Sequence, residues 1–287
     1  MLKLQDFLSK NPFRKSLDIS WKEGIAASVM QASMDEYLIP LGLFLGATPM
    51  DIGFLVAVPH ARSSLPFTKF MKLDALVFDA YGTLFDVHSV MRRCETCWPG
   101  KGAPLSTTWR AKQLEYTWQR SLMRAYRPFS EVTREALEHS CEALGLPLSS
   151  AQTEDLMQEY RRLSLFPDVK QTLKDLRGKK AILSNGSPDM LEPLVKQSGL
   201  RFDAVLSVDE LRIFKPAPEV YRLAAKRFGV ATNAIGFVSS NCWDALGAKA
   251  FGFNAFWINR TGAPVDRLGV RPDAVLRSLG DLPEVLR

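Results

Sequence analysis

The hydrophobic and polar positions fall into two rhythms. In LDALVFDAYGTLFD, Leu73 to Asp86, an apolar run from Ala75 to Phe78 stops at Asp79, and Gly82 and Thr83 then break the pattern. A short unbroken apolar run bounded by turn residues predicts a strand buried on both faces. Asp79 is then a carboxylate carried to the strand's carboxyl end, the edge at which open α/β sheets bind ligands. Four more short runs follow: KKAILSN (Lys179 to Asn185), FDAVLSV (Phe202 to Val208), AIGFVSSN (Ala234 to Asn241) and NAFWIN (Asn254 to Asn259). Helical stretches such as DMLEPLVKQSG and PEVYRLAAKRFG separate them. That alternation predicts a parallel sheet of at least five strands with helices on both faces.

Between the first and second runs the period is helical for roughly eighty residues. In STTWRAKQLEYTWQRSLMRAY, Leu114, Trp118 and Leu122 recur at four-residue steps and Ala125 completes a stripe predicted to be buried. Arg110 lies one turn before Leu114 on the same face. Its stem can lie along apolar surface with the guanidinium in water; if that face borders a cavity, the guanidinium can instead hold a carboxylate or a leaving anion. SEVTREALEHSCEALGL and SAQTEDLMQEYRRL each open on a Ser suited to cap a helix. Residues 85–167 therefore predict a helical lid inserted into a core made of residues 71–84 and 168–287.

Residues 1–70 do not continue either rhythm. The start lacks a basic opening, an apolar block and a small-residue cleavage site, so it does not read as a secretory signal. Tyr37 to His60 is mostly apolar and about long enough to cross a bilayer, but it contains Pro40, Pro49, Asp51 and three glycines. This segment resembles the start of a major facilitator transporter. Two readings stay open for residues 1–70: a membrane-associated extension, or a start-site or fusion remnant, with a self-sufficient domain beginning at Met71.

Composition narrows the function classes. The chain has 287 residues, 46% of them hydrophobic, so it is long enough for a large core and more than one domain. Its net charge of +6 is spread over scattered Lys and Arg with no dense basic run, which points away from nucleic acid and at most toward anionic small substrates. Four cysteines, Cys94, Cys97, Cys141 and Cys242, give no disulfide framework and fit a reducing, cytoplasmic location. Cys94 and Cys97 form a lone CxxC without a second pair, which reads as two helix thiols and not as a metal site.

Polar residues cluster where the predicted strands stop: Asp79, Ser184 and Asn185, and Ser239 and Asn241, with Lys215 in the FKPAPEVY loop. Each alone is an ordinary turn former; together they define one crevice. In motif, order and spacing, Met71 to Leu286 resembles the haloacid dehalogenase superfamily, and within it the L-2-haloacid dehalogenases. FDAYGTLFD resembles the nucleophile motif, with Asp79 as nucleophile and Thr83 four residues on. ILSNGSPDM resembles the motif that places Ser184 and Asn185 at the site; FKPAPEVY resembles the Lys motif with Lys215 and Tyr221; FVSSNCWDALGAKAFG resembles the last motif with Ser239, Asn241 and Asp244. Arg110 matches the Arg that assists halide departure, and Tyr81, Leu114, Phe129 and Trp243 match positions lining the apolar pocket. The resemblance implies a Rossmann-like core with a helical cap, a homodimer, and hydrolysis of L-2-haloacids to (R)-2-hydroxy acids without metal or cofactor.

The residue types suit that chemistry. A desolvated carboxylate can displace halide from carbon by back-side attack, giving an ester. Lys215 would keep Asp79 ionised, Asp244 would pair with Lys215 and, with Asn241, position the hydrolytic water. Ser184 and amides near Tyr81 would hold the substrate carboxylate, and Arg110 the halide. Two other readings are carried forward. Phosphatases of the superfamily have a second Asp where this chain has Tyr81, and a GD pair where it has Ser239 and Ser240, so an acid and a metal ligand are missing. A non-catalytic module tethered to a membrane partner would have no need of the full set of polar residues.

Overall fold

The computed structural model describes residues 73–287; Tyr37 to His60 and the membrane reading lie outside them. Six strands, β1 (Ala75–Phe78), β2 (Lys179–Ser184), β3 (Ala204–Ser207), β4 (Ile235–Ser239), β5 (Asn254–Ile258) and β6 (Ala274–Leu276), form one sheet in the order β3-β2-β1-β4-β5-β6. Every pairing is parallel. β1 is buried along its whole length, as its unbroken apolar run demands. Phe78 pairs in register with Ile182 of β2 on one side and Val238 of β4 on the other. From β1 the chain moves outward through β2 and β3, then returns to lay β4 on β1's other edge. The strand order therefore reverses between β1 and β4, and a crevice opens beyond their carboxyl ends. Asp79 follows one of these strands and Ser240–Asn241 follows the other.

The first five strands lie where the apolar runs predict, β1 over the whole run and the other four shortened by one to three residues. β6 was not anticipated. It has three residues, one of them Val275 at 51% exposed, too short to carry a period.

Four helices separate β1 from β2: α1 (Met91–Cys97), α2 (Gly102–Leu122), α3 (Phe129–Ala143) and α4 (Ser150–Tyr160). The core adds α5 (Val169–Asp175), α6 (Pro188–Ser198), α7 (Pro218–Phe228), α8 (Cys242–Phe251) and α9 (Leu282–Val285). Among the described residues no helix is long and apolar enough to cross a membrane.

The predicted stripe on α2 is corrected. Leu122 is 86% exposed, Ala125 is exposed, and Leu114 and Trp118 are half-buried. The buried face instead carries Leu105, Trp109, Gln113 and Thr117, the same four-residue spacing rotated by one position. Two of those residues are polar, and hydrophobicity alone passed them over. Their groups are satisfied inside the helical layer: Gln113 Nε2 donates to Thr133 Oγ1 at 2.7 Å and Thr117 Oγ1 to the Leu114 carbonyl at 2.6 Å. α2 also ends at Leu122, and Arg124 adopts a left-handed φ of 55°, so Ala125 leaves the helix axis.

The serine caps are corrected as well. α3 starts at Phe129 after Pro128 with no side-chain cap. α4 is capped by Ser149, one residue ahead of the segment's first Ser, in a capping box with Gln152.

Trp109, fully buried with its indole N–H donating to the Thr133 carbonyl at 2.7 Å, anchors this layer. Trp109→Ala is expected to cost about 3–5 kcal/mol in denaturant titration, whereas Leu122→Ala should stay within about 0.5 kcal/mol. Equal losses would contradict this assignment of the buried face.

Candidate active site

The turn after β1 aims the Asp79 carboxylate. Leu84 and Phe85 N–H groups both donate back to the Ala80 carbonyl, and Gly82 closes the turn with φ 87°, a conformation that disfavours a side chain. Asp79 is 5% exposed. Its Oδ2 accepts from Thr83 Oγ1 at 3.0 Å and from Asn241 Nδ2 at 2.8 Å, and its Oδ1 accepts from Lys215 Nζ at 3.1 Å. The three donors come from the β1 turn, the end of β4 and the loop before α7. Thr83 Oγ1 also accepts the Ser240 N–H at 2.8 Å, so the two lips of the crevice are joined at the nucleophile's own donor.

Lys215, 1% exposed, sits between two carboxylates: Asp244 Oδ2 lies 2.9 Å from Nζ. Its main-chain N–H donates to Asn185 Oδ1 at 2.9 Å, which is how Asn185 enters the site. Asp244 in turn accepts from the Tyr221 hydroxyl at 2.8 Å on Oδ1. Tyr221 is fully buried and acts on Asp79 only through Asp244 and Lys215.

Burial lowers the Lys215 ammonium, but Asp244 and Asp79 outweigh it and hold the group above the ordinary lysine value. Burial pushes the Asp244 carboxyl up to about 6, Lys215 opposing and Asp79 reinforcing. The Lys215 ammonium thus donates to both acidic side chains at once.

Arg110 projects from α2 over this group. Its Nη2 lies 3.4 Å from both the Tyr81 carbonyl and Asn241 Oδ1, and Nη1 donates to Gln113 Oε1 at 2.7 Å. The guanidinium is turned toward the strand ends and not along the helix surface. Gln113 was missed by sequence reasoning, although a polar residue three positions after Arg110 on the same helix was a usable signal.

The apolar wall follows the predicted residues in part. Tyr81 is buried with its ring 5.5 Å from Phe129 and 6.4 Å from Tyr160. A side chain at Gly186 would come within 2.6 Å of the Tyr81 ring, so the glycine is what admits it. Among the described residues the Tyr81 hydroxyl has no hydrogen-bond partner. Burial first, then Tyr160, holds that phenol above its ordinary value. Leu114 is half-buried, and Trp243 is half-buried against Trp118 with ring centroids 5.4 Å apart.

Ser184 and Ser239 are fully buried but are not joined to the Asp79 carboxylate among the described residues. Ser184 Oγ accepts the Gly186 N–H at 3.0 Å and Ser239 Oγ accepts the Asn241 N–H at 3.1 Å. Both shape turns that deliver other groups. The thiols lie apart from this chemistry: burial pushes Cys94 up to about 12 and Cys141 up to about 11, so neither is a reactive thiolate at neutral pH.

Because the folded Asp244 value lies above the usual carboxylate value of about 3.9, the folded protein holds this proton more tightly than the unfolded chain does. The group's stabilising contribution is complete below about pH 4 and is lost as pH rises through about 6. Infrared titration should give Asp244 a midpoint near 6, and Lys215→Met should raise it by removing the opposing charge. A wild-type midpoint at the ordinary carboxylate value would overturn this.

Comparison with known proteins agrees with this geometry. A profile described as haloacid dehalogenase-like hydrolase matches residues 73–252. An (S)-2-haloacid dehalogenase from Pseudomonas sp. (strain YL) is 48% identical over 218 residues, 74% of this chain and 94% of that protein. Haloacetate dehalogenase H-2 from Moraxella sp. (strain B) is 46% identical over 207 residues, covering 70% of this chain and 92% of its own length. The crystal structure of L-2-haloacid dehalogenase from Xanthobacter autotrophicus with chloropropionic acid covalently bound superposes with a TM-score of 0.71 at 44% identity, covering 75% of this chain and 98% of that one. A buried strand-end carboxylate held by Thr, Asn and Lys, on a sheet and sequence shared with these proteins, leads to one assignment: the chain belongs to the haloacid dehalogenase-like hydrolases.

Proposed function

We propose that the protein is an (S)-2-haloacid dehalogenase, converting short L-2-haloalkanoic acids and water to (R)-2-hydroxy acids and halide. The observation that carries this reading is Asp79 itself, a nearly dry carboxylate whose oxygens are aimed by Thr83, Asn241 and Lys215 beneath a guanidinium from the helical layer. The relatives named above for haloacids are 48% and 46% identical to it over the 218 and 207 residues aligned.

In the first step an Asp79 oxygen attacks the halogen-bearing carbon from the back, the carbon–halogen bond breaks, and an ester with inverted configuration forms. Desolvation makes the carboxylate reactive, and the Lys215 ammonium 3.1 Å away offsets the negative charge gathered there by nucleophile and substrate. Arg110 receives the halide, with its aim set by Gln113. Ser184, Asn185 and the N–H groups of their turn hold the substrate carboxylate, and Tyr81, packed on Phe129, lines the apolar pocket together with Leu114 and Trp243.

In the second step water attacks the ester carbonyl of Asp79, cleaving the acyl–oxygen bond, so the inverted carbon is untouched. A carboxyl near 6 such as Asp244 is suited to take the water's proton at neutral pH, while Asn241 positions the water and Tyr221 and Ser239 hold these groups in place. No metal is needed for either step. Asp79, just after β1, and Asp244, in the first turn of α8, both hold the Lys215 ammonium, and the positions where a phosphatase has its second acid and its metal-binding GD pair carry Tyr81, Ser239 and Ser240.

We further infer a two-part catalytic unit, a core of residues 71–84 and 168–287 and a cap of residues 85–167. It acts as a cytoplasmic homodimer whose activity does not require residues 1–70.

Chloride release from L-2-chloropropionate, undiminished by excess chelator, tests the reading. Asp79→Asn should lower it by on the order of 10³-fold or more. Retained activity in that variant, or an absolute magnesium requirement, would sink the assignment.

A further inference from the structure

The first-motif turn is held from outside by a residue that sequence reasoning left without a role. Arg260 lies two residues past the end of β5 and is only partly exposed, at 22%. Its guanidinium binds the Asp168 carboxylate with both arms, Nη1 to Oδ2 at 2.7 Å and Nη2 to Oδ1 at 3.1 Å. It stacks over the Phe166 ring at 4.1 Å, and Nη2 makes a long contact of 3.5 Å with the Thr83 carbonyl. Asp168 also accepts the Leu279 N–H at 2.7 Å, which ties it to the core's C-terminal segment.

These partners lie on the two chain crossings between the core and the inserted helices. The outgoing crossing runs from Thr83 to Asp86 and the returning one from Ser164 to Asp168. They pair as a short antiparallel ribbon: the Asp86 N–H donates to the Ser164 carbonyl at 2.8 Å, the Phe166 N–H to the Leu84 carbonyl at 3.1 Å, and Phe85 bridges Leu165. Leu84 is the residue after Thr83, whose hydroxyl donates to Asp79. One guanidinium thus grips the returning chain through Asp168 and Phe166 and the outgoing chain at Thr83. A planar fork suits this duty in a way that an ammonium does not.

We propose that Arg260, clamped to Asp168, is a positioning residue for the nucleophile: it fixes the crossing ribbon to the sheet and so holds Thr83 where its hydroxyl aims Asp79. The inference rests on the dehalogenase reading above. Its consequence is a distant residue that governs the chemical step and not substrate capture. Arg260→Gln frees the ribbon, and a misplacement of the nucleophile by a fraction of an ångström to an ångström costs on the order of 10- to 100-fold in kcat. KM should move by less than about threefold, because Arg110 and the apolar wall are untouched.

The test is a double-mutant cycle on halide release, with wild-type turnover as the control for the reading itself. Arg260→Gln and Thr83→Ala each lower kcat, and together they should lower it little more than the stronger single change, because both act through one hydrogen bond to Asp79. Arg260→Lys, which keeps the charge and loses the fork, should recover part of the loss. Should Arg260→Gln fail to fold, Asp168→Asn, which keeps an acceptor for the Leu279 N–H, carries the same expectation. Effects that simply multiply, or a lowered melting temperature with kcat per folded molecule unchanged, would overturn the proposal. A wild type that releases no halide would instead remove the dehalogenase reading and leave the geometry of the clamp as it is.

Discussion

One buried ammonium between two carboxylates is the constraint on which the rest of the site depends. Lys215 lies 3.1 Å from Asp79 and 2.9 Å from Asp244, and all three groups are nearly or wholly removed from water. Removing Lys215 would leave two buried carboxylates facing each other with no compensating charge. The surrounding structure is arranged to keep all three in place: Asn185 holds the Lys215 main chain, Tyr221 holds Asp244, and Thr83 and Asn241 hold Asp79. The sheet order makes this possible, because β1 and β4 lie side by side where the topology reverses and their ends open onto one crevice.

The helical layer contributes charge of the opposite kind. An anionic substrate approaching two carboxylates and one ammonium meets net negative charge, which Arg110 offsets from above. That guanidinium is not free to wander: Gln113, fully buried and bonded to Thr133, holds one arm. A polar residue in the middle of the buried face of α2 therefore has a functional reason, which is also why an apolar count misplaced that face.

The strands were legible because a parallel strand buried on both faces must be apolar throughout, and four-to-six-residue runs such as Ala75–Phe78 stand out between turn residues. β6 was not, since three residues, of which only Leu276 is buried, carry no period. Asp79, Asn185 and Asn241 were legible as polar residues at strand ends and Lys215 in its loop, and Asp244 and Arg110 from the motif resemblance. What was not legible is how they divide the work. Ser184 and Ser239 each also accept an N–H of the turn that follows, and Tyr221 supports Asp244 from behind. Arg260 gave no sequence signal, because its partners Asp168, Phe166 and Thr83 are about 92 to 177 positions away and only folding brings them together.

The account stands on Asp79 acting as a nucleophile and not as a general base. A single turnover of L-2-chloropropionate in heavy-oxygen water, followed by mass spectrometry of the peptide containing Asp79, tests this most directly. Water attacking the ester carbonyl places the label in Asp79, while the first 2-hydroxypropionate released carries an unlabelled oxygen from the carboxylate. Label in that first product, with Asp79 unlabelled, would mean direct attack of water on the substrate carbon and would contradict the account.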